Sequence, residues 1–214
     1  MSAMTIHDLT MPSSALHWAK YNQSGRLELE MQVKTGFAKA YAADIHEFYP
    51  LLSRLNTPQG YCVLGLRIAA AEPLFVEQYL EQPIETFLPQ CTRRSEIAEL
   101  GNLYSTHRSA TLGHFIVAAQ ALLSQHIRFL TFTGTVQVRK LMALCQVPIC
   151  ELTPAQPNKV ESAKDYGSYY EADPKVCVVD LENVQQVIDT TKLYSKLAEQ
   201  YSNEVNELVL GLQS

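Results

Sequence analysis

The stretch Ser95–His126, SEIAELGNLYSTHRSATLGHFIVAAQALLSQH, gathers the residues of this 214-residue chain best spaced to do chemistry. It begins as an alternating, strand-like run that puts Ile97, Glu99, Gly101 and Leu103 on one face. It then crosses a short polar loop containing Arg108 and Gly113 and becomes an amphipathic helix. Leu112, Phe115, Ile116, Ala119, Leu122 and Leu123 follow the i, i+3, i+4, i+7 spacing of that helix. A helix N-terminus reached through small residues offers free backbone N–H groups and a positive dipole end, so this turn suits a phosphate-bearing group. Glu99, turned inward beside an apolar cleft, would have its pKa raised toward the range of a general base. Glu96 points to the other face and reads as structural.

Other chemistries lack their residues. The six histidines show no H-E-x-x-H spacing, and His107 and His114, which flank the turn, read as bystanders. No G-x-S-x-G elbow, Walker loop or dinucleotide G-x-G-x-x-G is present. The five cysteines, Cys62, Cys91, Cys145, Cys150 and Cys177, form no C-x-x-C pair, which predicts reduced, buried thiols in a cytoplasmic protein. Apolar residues at 47% and charged residues at 18% predict a folded globular protein. A net charge of −5 without any basic run argues against a nucleic-acid binder. The opening MSAMTIHDLTMPSSALHW lacks the pattern of a secretory signal, and no window of 18 uninterrupted apolar residues predicts a membrane span.

The remaining elements must hold that central stretch in place. Residues 1–24 read as an arm, with a turn at Met11-Pro12-Ser13-Ser14. Arg26–Val33 alternates Leu27, Leu29 and Met31 with Arg26, Glu28 and Glu30, which predicts a half-buried strand. Gly36–Leu55 reads as helical through Phe37, Tyr41, Ile45, Phe48 and Leu52, and Asn56-Thr57-Pro58-Gln59-Gly60 breaks it. Tyr61–Ala70 is a short apolar run read as a buried strand, with helix as the alternative. Leu74–Leu88, interrupted by Pro83, predicts one or two short helices. The central strand, Ser95–Tyr104, and the loop and helix over Arg108–His126 come after it. Next are a strand at Arg128–Gly134, a helix at Val136–Cys145 and a strand at Val147–Leu152, which together predict a locally parallel α/β sheet. Thr153–Asn158 is proline-punctuated loop, and Val176–Val179 is the last strand, with Asp180 as N-cap of the final helical segment. Asn183–Leu210 reads as one long helix. In it Val187, Tyr194, Tyr201 and Leu208 lie seven apart, and Thr191, Ala198, Val205 and Leu212 come four residues after each. Such a seam packs on its own domain or pairs with a second subunit.

Arg108-Ser109-Ala110-Thr111-Leu112-Gly113 is similar to the R/Q-x-x-G-x-G/A loop of the GNAT superfamily of N-acyltransferases, with Thr111 where the first glycine is usual. LFVEQYLEQPIE (Leu74–Glu85), EIAELGNLYS (Glu96–Ser105) and YGSYY (Tyr166–Tyr170) together resemble the bacterial thermostable-hemolysin family. That family is GNAT-like in fold and distantly similar to acyl-homoserine-lactone synthases, and the resemblance spans roughly Leu66 to Val179. It implies an α/β GNAT-like acyltransferase fold, a central mixed sheet flanked by helices, with an added long C-terminal helix. Residues 1–24 would be the arm, 25–180 the acyltransferase domain and 181–214 a helical extension.

The activity implied is N-acyl transfer, fatty acyl chains included, from a coenzyme A or acyl-carrier-protein thioester to a small amine. The alternatives are a membrane-active hemolysin-type toxin and a degenerate GNAT-fold binding protein. Acyl transfer needs a thioester held in place, a base for the amine and a donor for the oxyanion or the thiolate. The resemblance makes Glu99 the general base, acting directly or through water. Met142 stands where many relatives carry a tyrosine for the thiolate, which leaves Tyr104, Tyr169 and Tyr170 as available phenols, Tyr170 being carried as the catalytic one. Asn102, Leu103 and Tyr104 would bind the pantetheine arm, and Arg108, Thr111, Leu112 and Gly113 its phosphate end. Thr111 reduces the space for a pyrophosphate, so a carrier protein stays open beside free coenzyme A. Glu77, Tyr79, Glu85 and Thr133 would border the acceptor, the two glutamates by binding an ammonium group. No metal is expected. The partners implied are the amine, the acyl donor and, through the last helix, a second copy of the chain.

Overall fold

The computed structural model describes residues 15–214. Strands β1 (Leu16–Lys20), β2 (Leu51–Thr57), β3 (Gly60–Ile68), β4 (Ile97–Ser105), β5 (Phe129–Gly134), β6 (Cys150–Pro154) and β7 (Lys175–Asp180) form one sheet. Their order is β1-β2-β3-β4-β5-β7-β6, and every neighbouring pair is antiparallel except β4 and β5. The helices are α1 (Arg26–Tyr41), α2 (Arg108–Ser124), α3 (Val136–Leu144), α4 (Leu181–Thr190), α5 (Lys192–Gln200) and α6 (Ser202–Gln213).

Alternation along the strands splits the core into two layers. Leu51, Leu55, Leu64, Leu66, Leu100 and Phe132 face α2, where they meet Val117, Ala118, Ala121 and Leu122. On the opposite face Val63 meets Val33 and Phe37 of α1, while Ile97, Phe129 and Val176 pack against Phe75, Val76 and Tyr79. Two short 3-10 turns, Phe75–Tyr79 and Ile84–Phe87, fill the segment read as short helices.

Several expectations are corrected. Arg26–Val33 is the start of α1 and not a strand: Leu29, Val33 and Phe37 are buried at four-residue spacing, while Leu27 and Met31 are 69% and 61% exposed. Helix α1 ends at Ala42, whose φ of 53° is left-handed, so the helix expected over Gly36–Leu55 gives way to irregular chain and then β2. The strand expected at Val147–Leu152 begins at Cys150, and β7 inserts antiparallel between it and β5. Burial explains that order: Val176–Val179 is buried, whereas Cys150 and Glu151 are exposed and suit an edge. Residues 181–213 run as three consecutive helices rather than one, and Tyr201 and Leu208 of the expected seam are buried in the chain's own α2-side core. Asp180 caps α4 as expected, accepting from Glu182 N–H at 3.0 Å. Cys62, Cys145 and Cys177 are buried free thiols, but Cys91 and Cys150 are exposed. The turn at Met11–Ser14 lies outside the described residues, and the later part of the expected arm holds β1, one of the sheet's two edge strands.

Candidate active site

β4 and β5 pair from Ile97↔Phe129 to Leu100↔Phe132 and then part, although β4 continues to Ser105 and β5 to Gly134. At the parting Asn102 adopts φ 48°, and the register against β3 shifts between Val63 and Gly65. A bulge of this kind bends its strand away from its neighbour, and Asn tolerates the left-handed conformation better than most residues. The Asn102 side chain is used as well: Oδ1 accepts the Tyr49 N–H at 2.8 Å, and Nδ2 donates to the Glu47 carbonyl at 3.2 Å. The bulge therefore opens the sheet and clamps the loop after α1 beside the opening.

A cavity of about 160 Å3 passes through this gap, walled by Leu100, Gly101, Asn102 and Leu103 of β4 and by Phe132 and Thr133 of β5. On the α2 side its wall is mostly aliphatic, from Leu112, Ile116 and Ala119 to Met142, Val184, Val187 and Ile188, with Phe115, Cys145 and Tyr194 among them. On the α1 side it is aromatic, formed by Phe37, Tyr41, Tyr49, Phe75, Tyr79, Tyr166 and Tyr169, together with Glu47, whose carboxylate pairs with Arg67 at 3.1 Å.

Glu99 lies behind this aromatic wall. It is fully buried, and its carboxylate accepts from Phe75 N–H at 2.6 Å, from Val76 N–H at 2.9 Å and from the Tyr49 hydroxyl. Burial pushes its pKa up to about 7, with Tyr49, the two N–H groups and Arg67 pulling the other way. Burial and the neighbouring Glu99 raise the Tyr49 phenol well above its usual value, so it is held protonated. The Arg67 guanidinium sits 4.5 Å from the Tyr49 ring centroid. Gly101 fixes the other side, because a Cβ there would fall 2.5 Å from Tyr49 Cζ. Tyr49 thus stands between the cavity and a carboxylate that titrates near neutrality.

The expected site residues divide. Asn102, Leu103, Leu112, Tyr79 and Thr133 line the cavity, as does Met142. Glu99 does not reach the wall, which corrects its direct access to substrate: Tyr49 intervenes. Glu77 and Glu85 are corrected from amine binders to structural groups, because Arg94 binds both. Arg94 Nη2 is 2.7 Å from Glu77 Oε2 and Nη1 is 3.0 Å from Glu85 Oε1; the Arg94 hydrogen bond holds the Glu77 carboxyl down at about 2. Tyr170 lies one ring back, its hydroxyl 2.9 Å from that of Tyr79. Tyr104 packs against Gly36 of α1 and edge-on to Tyr61.

The loop expected over Arg108–Gly113 is helix from its first residue, because His107 caps it, Nδ1 accepting the Ser109 N–H at 3.3 Å. Thr111 is buried, and Gly113 lies under Tyr201 and Leu55, where a Cβ would come within 2.9 Å of Tyr201 Cε2. Thr106–Ser109 are exposed at the open helix end, so a phosphate would meet these residues and not the buried Ala110, Thr111 and Gly113. His114 is structural, buried between Ser53 Oγ and the Cys62 carbonyl at 2.9 Å each. Tyr49 and Glu47 belong to no motif in the sequence; their one signal is Pro50, which disfavours helix at the residue before it.

A thermostable hemolysin family profile matches residues 19–185 of the chain. The chain belongs to the thermostable hemolysin family. Among solved structures, this family member is similar to a CoA-dependent acyl-homoserine lactone synthase, BjaI, with SAM and isopentyl-CoA. The identity is 12% and the TM-score 0.53, over 81% of this chain and 87% of that one. It is likewise similar to the AHL synthase LasI, at 13% identity and TM-score 0.51 over 78% and 89% of the two chains. FeeM, an N-acyl amino acid synthase from uncultured soil microbes, matches at 13% identity and TM-score 0.49, covering 84% and 97%. No curated protein sequence matches the chain. At these identities the likeness shows the fold, and it is the GNAT-like α/β arrangement expected for this family member. Among the described residues no helix is long and apolar enough to cross a membrane.

Proposed function

We propose that this hemolysin-family protein is an acyltransferase that passes an acyl group from a phosphopantetheine thioester to a small amine. The observation that carries the proposal is the split between β4 and β5, where an aliphatic chamber and an aromatic one meet beside a buried carboxylate. The acyl chain fills the α2 side, where burial of each methylene contributes about 0.8 kcal/mol. The thioester lies in the gap, against β4 backbone groups that have no β5 partner beyond Leu100. Arg108 and Thr106–Ser109 would take the phosphate common to coenzyme A and a carrier-protein arm.

The amine enters from the α1 side. The bound ammonium first gives one proton to water, and the neutral nitrogen attacks the thioester carbonyl; its second proton passes to the Tyr49 oxygen while the phenolic proton moves to Glu99. The C–N bond forms, the C–S bond breaks, and the departing thiolate takes a proton from water. Glu99 with a pKa of about 7 is a base matched to neutral pH.

The test is thiol release and amide formation, followed by mass spectrometry, with octanoyl and decanoyl donors on coenzyme A and on acyl carrier protein. Tyr49→Phe keeps the ring over Arg67 but removes the relay, so kcat should fall by about 100-fold with thioester affinity unchanged. Absence of acyl transfer with every donor, or an unchanged kcat in Tyr49→Phe, overturns the reading.

A further inference from the structure

We infer that the acceptor is an arylalkylamine bound as a cation and carrying no carboxylate, the class of phenethylamine and tyramine. This deepens the acyltransferase reading and rests on it. Its basis is the make-up of the α1 side of the cavity. The wall there is a continuous set of rings: Phe37 and Tyr169 stack at 6.2 Å, Tyr41 meets Tyr169 edge-on at 5.2 Å, and Phe75 lies 6.0 Å from Tyr166. Aromatic faces carry negative potential and attract ammonium groups, while their edges and faces also stack a guest ring.

Among the described residues lining the cavity, the only formally charged side chain is Glu47, and none is Lys, Arg or His. Arg67, whose guanidinium lies over the Tyr49 ring, is spent. It pairs with Glu47 at 3.1 Å and Glu72 at 3.3 Å, donates to the Pro73 carbonyl at 3.2 Å, and is also under the influence of Glu99. One guanidinium is thus shared among Glu47, Glu72 and the buried Glu99, and none of its charge is left to answer a further carboxylate. Two of the phenols are engaged as well: Tyr169 donates to the Thr133 carbonyl at 3.1 Å and Tyr79 pairs with Tyr170. An amino acid would bring its carboxylate against Glu47 and the ring faces with no cation to answer it. The decarboxylated amine would not, and its ammonium fits between the rings and Glu47.

The experiment is calorimetric titration of the full chain with tyramine, tyrosine and phenyltrimethylammonium, a permanent cation that cannot be acylated. Tyramine should bind at least about tenfold more tightly than tyrosine, and phenyltrimethylammonium should bind and displace it. Glu47→Gln should weaken tyramine by about tenfold without weakening tyrosine. Equal or tighter binding of tyrosine overturns the inference, as does failure of both cations to bind. So does unchanged tyramine affinity in a Glu47→Gln variant that melts as the wild type does. The comparison of ligands on the wild type stands whether or not the variant folds. Tyramine binding without acyl transfer from any donor would overturn the acyltransferase reading alone, whereas transfer to tyrosine in preference to tyramine would overturn this inference alone.

Discussion

The two chambers that meet at the split sheet are made of different materials. On the α2 side, Leu112, Ile116, Ala119, Met142 and Val184 offer shape and apolar surface, which on the proposed reading would discriminate by length. On the α1 side, rings, phenols and Glu47 offer direction and charge, and behind them Glu99 offers a proton site. Removing a methyl from the first changes how much chain fits. Removing an oxygen from the second should, on the proposed reading, change whether a reaction occurs. On the proposed reading the split separates carrying from reacting, and each side can be altered while the other is watched.

Glu99→Gln strikes the reacting side hardest. The rate of amide formation should fall by about 100-fold or more with the thioester dissociation constant unchanged, and wild-type rates should rise with pH through about 7. A variant that keeps more than about a tenth of the rate shows that the carboxylate does not take the proton.

The second contrast lies in stability against pH, because the two faces of the sheet bury His114 and Glu99, which burial shifts in ways that oppose each other. His114, on α2, is pushed by burial down to about 3, so the fold favours its neutral form. Its contribution is present above pH 6.5 and is lost as pH falls toward 3. Glu99 is raised to about 7, so its contribution is present below pH 4.5 and is lost as pH rises through 7. The two slopes oppose each other between pH 4.5 and 6.5. In urea unfolding, Glu99→Gln should gain about 2 kcal/mol relative to wild type from pH 5 to 6.5, and His114→Gln should lose about as much over that interval. Identical slopes in the two variants would remove the assignment of opposite burial effects.

Met142→Trp is the smallest of these changes and acts on the carrying side. It should lower kcat/KM for long acyl donors by about tenfold, the worth of two displaced methylenes, and leave short donors and amine affinity alone. A chain-length series that slows uniformly would show that Met142 does not bound the acyl space.

Much of this frame was readable in the residues. The strands at Tyr61–Ala70 and Ser95–Tyr104, the α2 stripe and the Asp180 cap come from local periodicity and turn chemistry, which are decided within a few residues. The start of α1 misled because Leu27 and Met31 are exposed apolar residues that counterfeit a strand's alternation with Leu29. The place of β7 between β5 and β6 depends on pairing across the sheet, which no local pattern encodes. Glu99 stood out as an inward carboxylate, but its partner Tyr49 is brought from a distant part of the chain by the clamp of Asn102, and Arg94 claimed Glu77 and Glu85 by the same kind of long-range meeting. Chemistry-bearing residues were visible singly; their partners were not.

Where β4 and β5 diverge, the main chain from Gly101 to Leu103 faces a hole in place of a neighbouring strand. A guest with amides of its own, threaded there, would act as the absent rung of the ladder. Occupancy and rigidity then become one quantity, and the protein is at its firmest only while it is loaded.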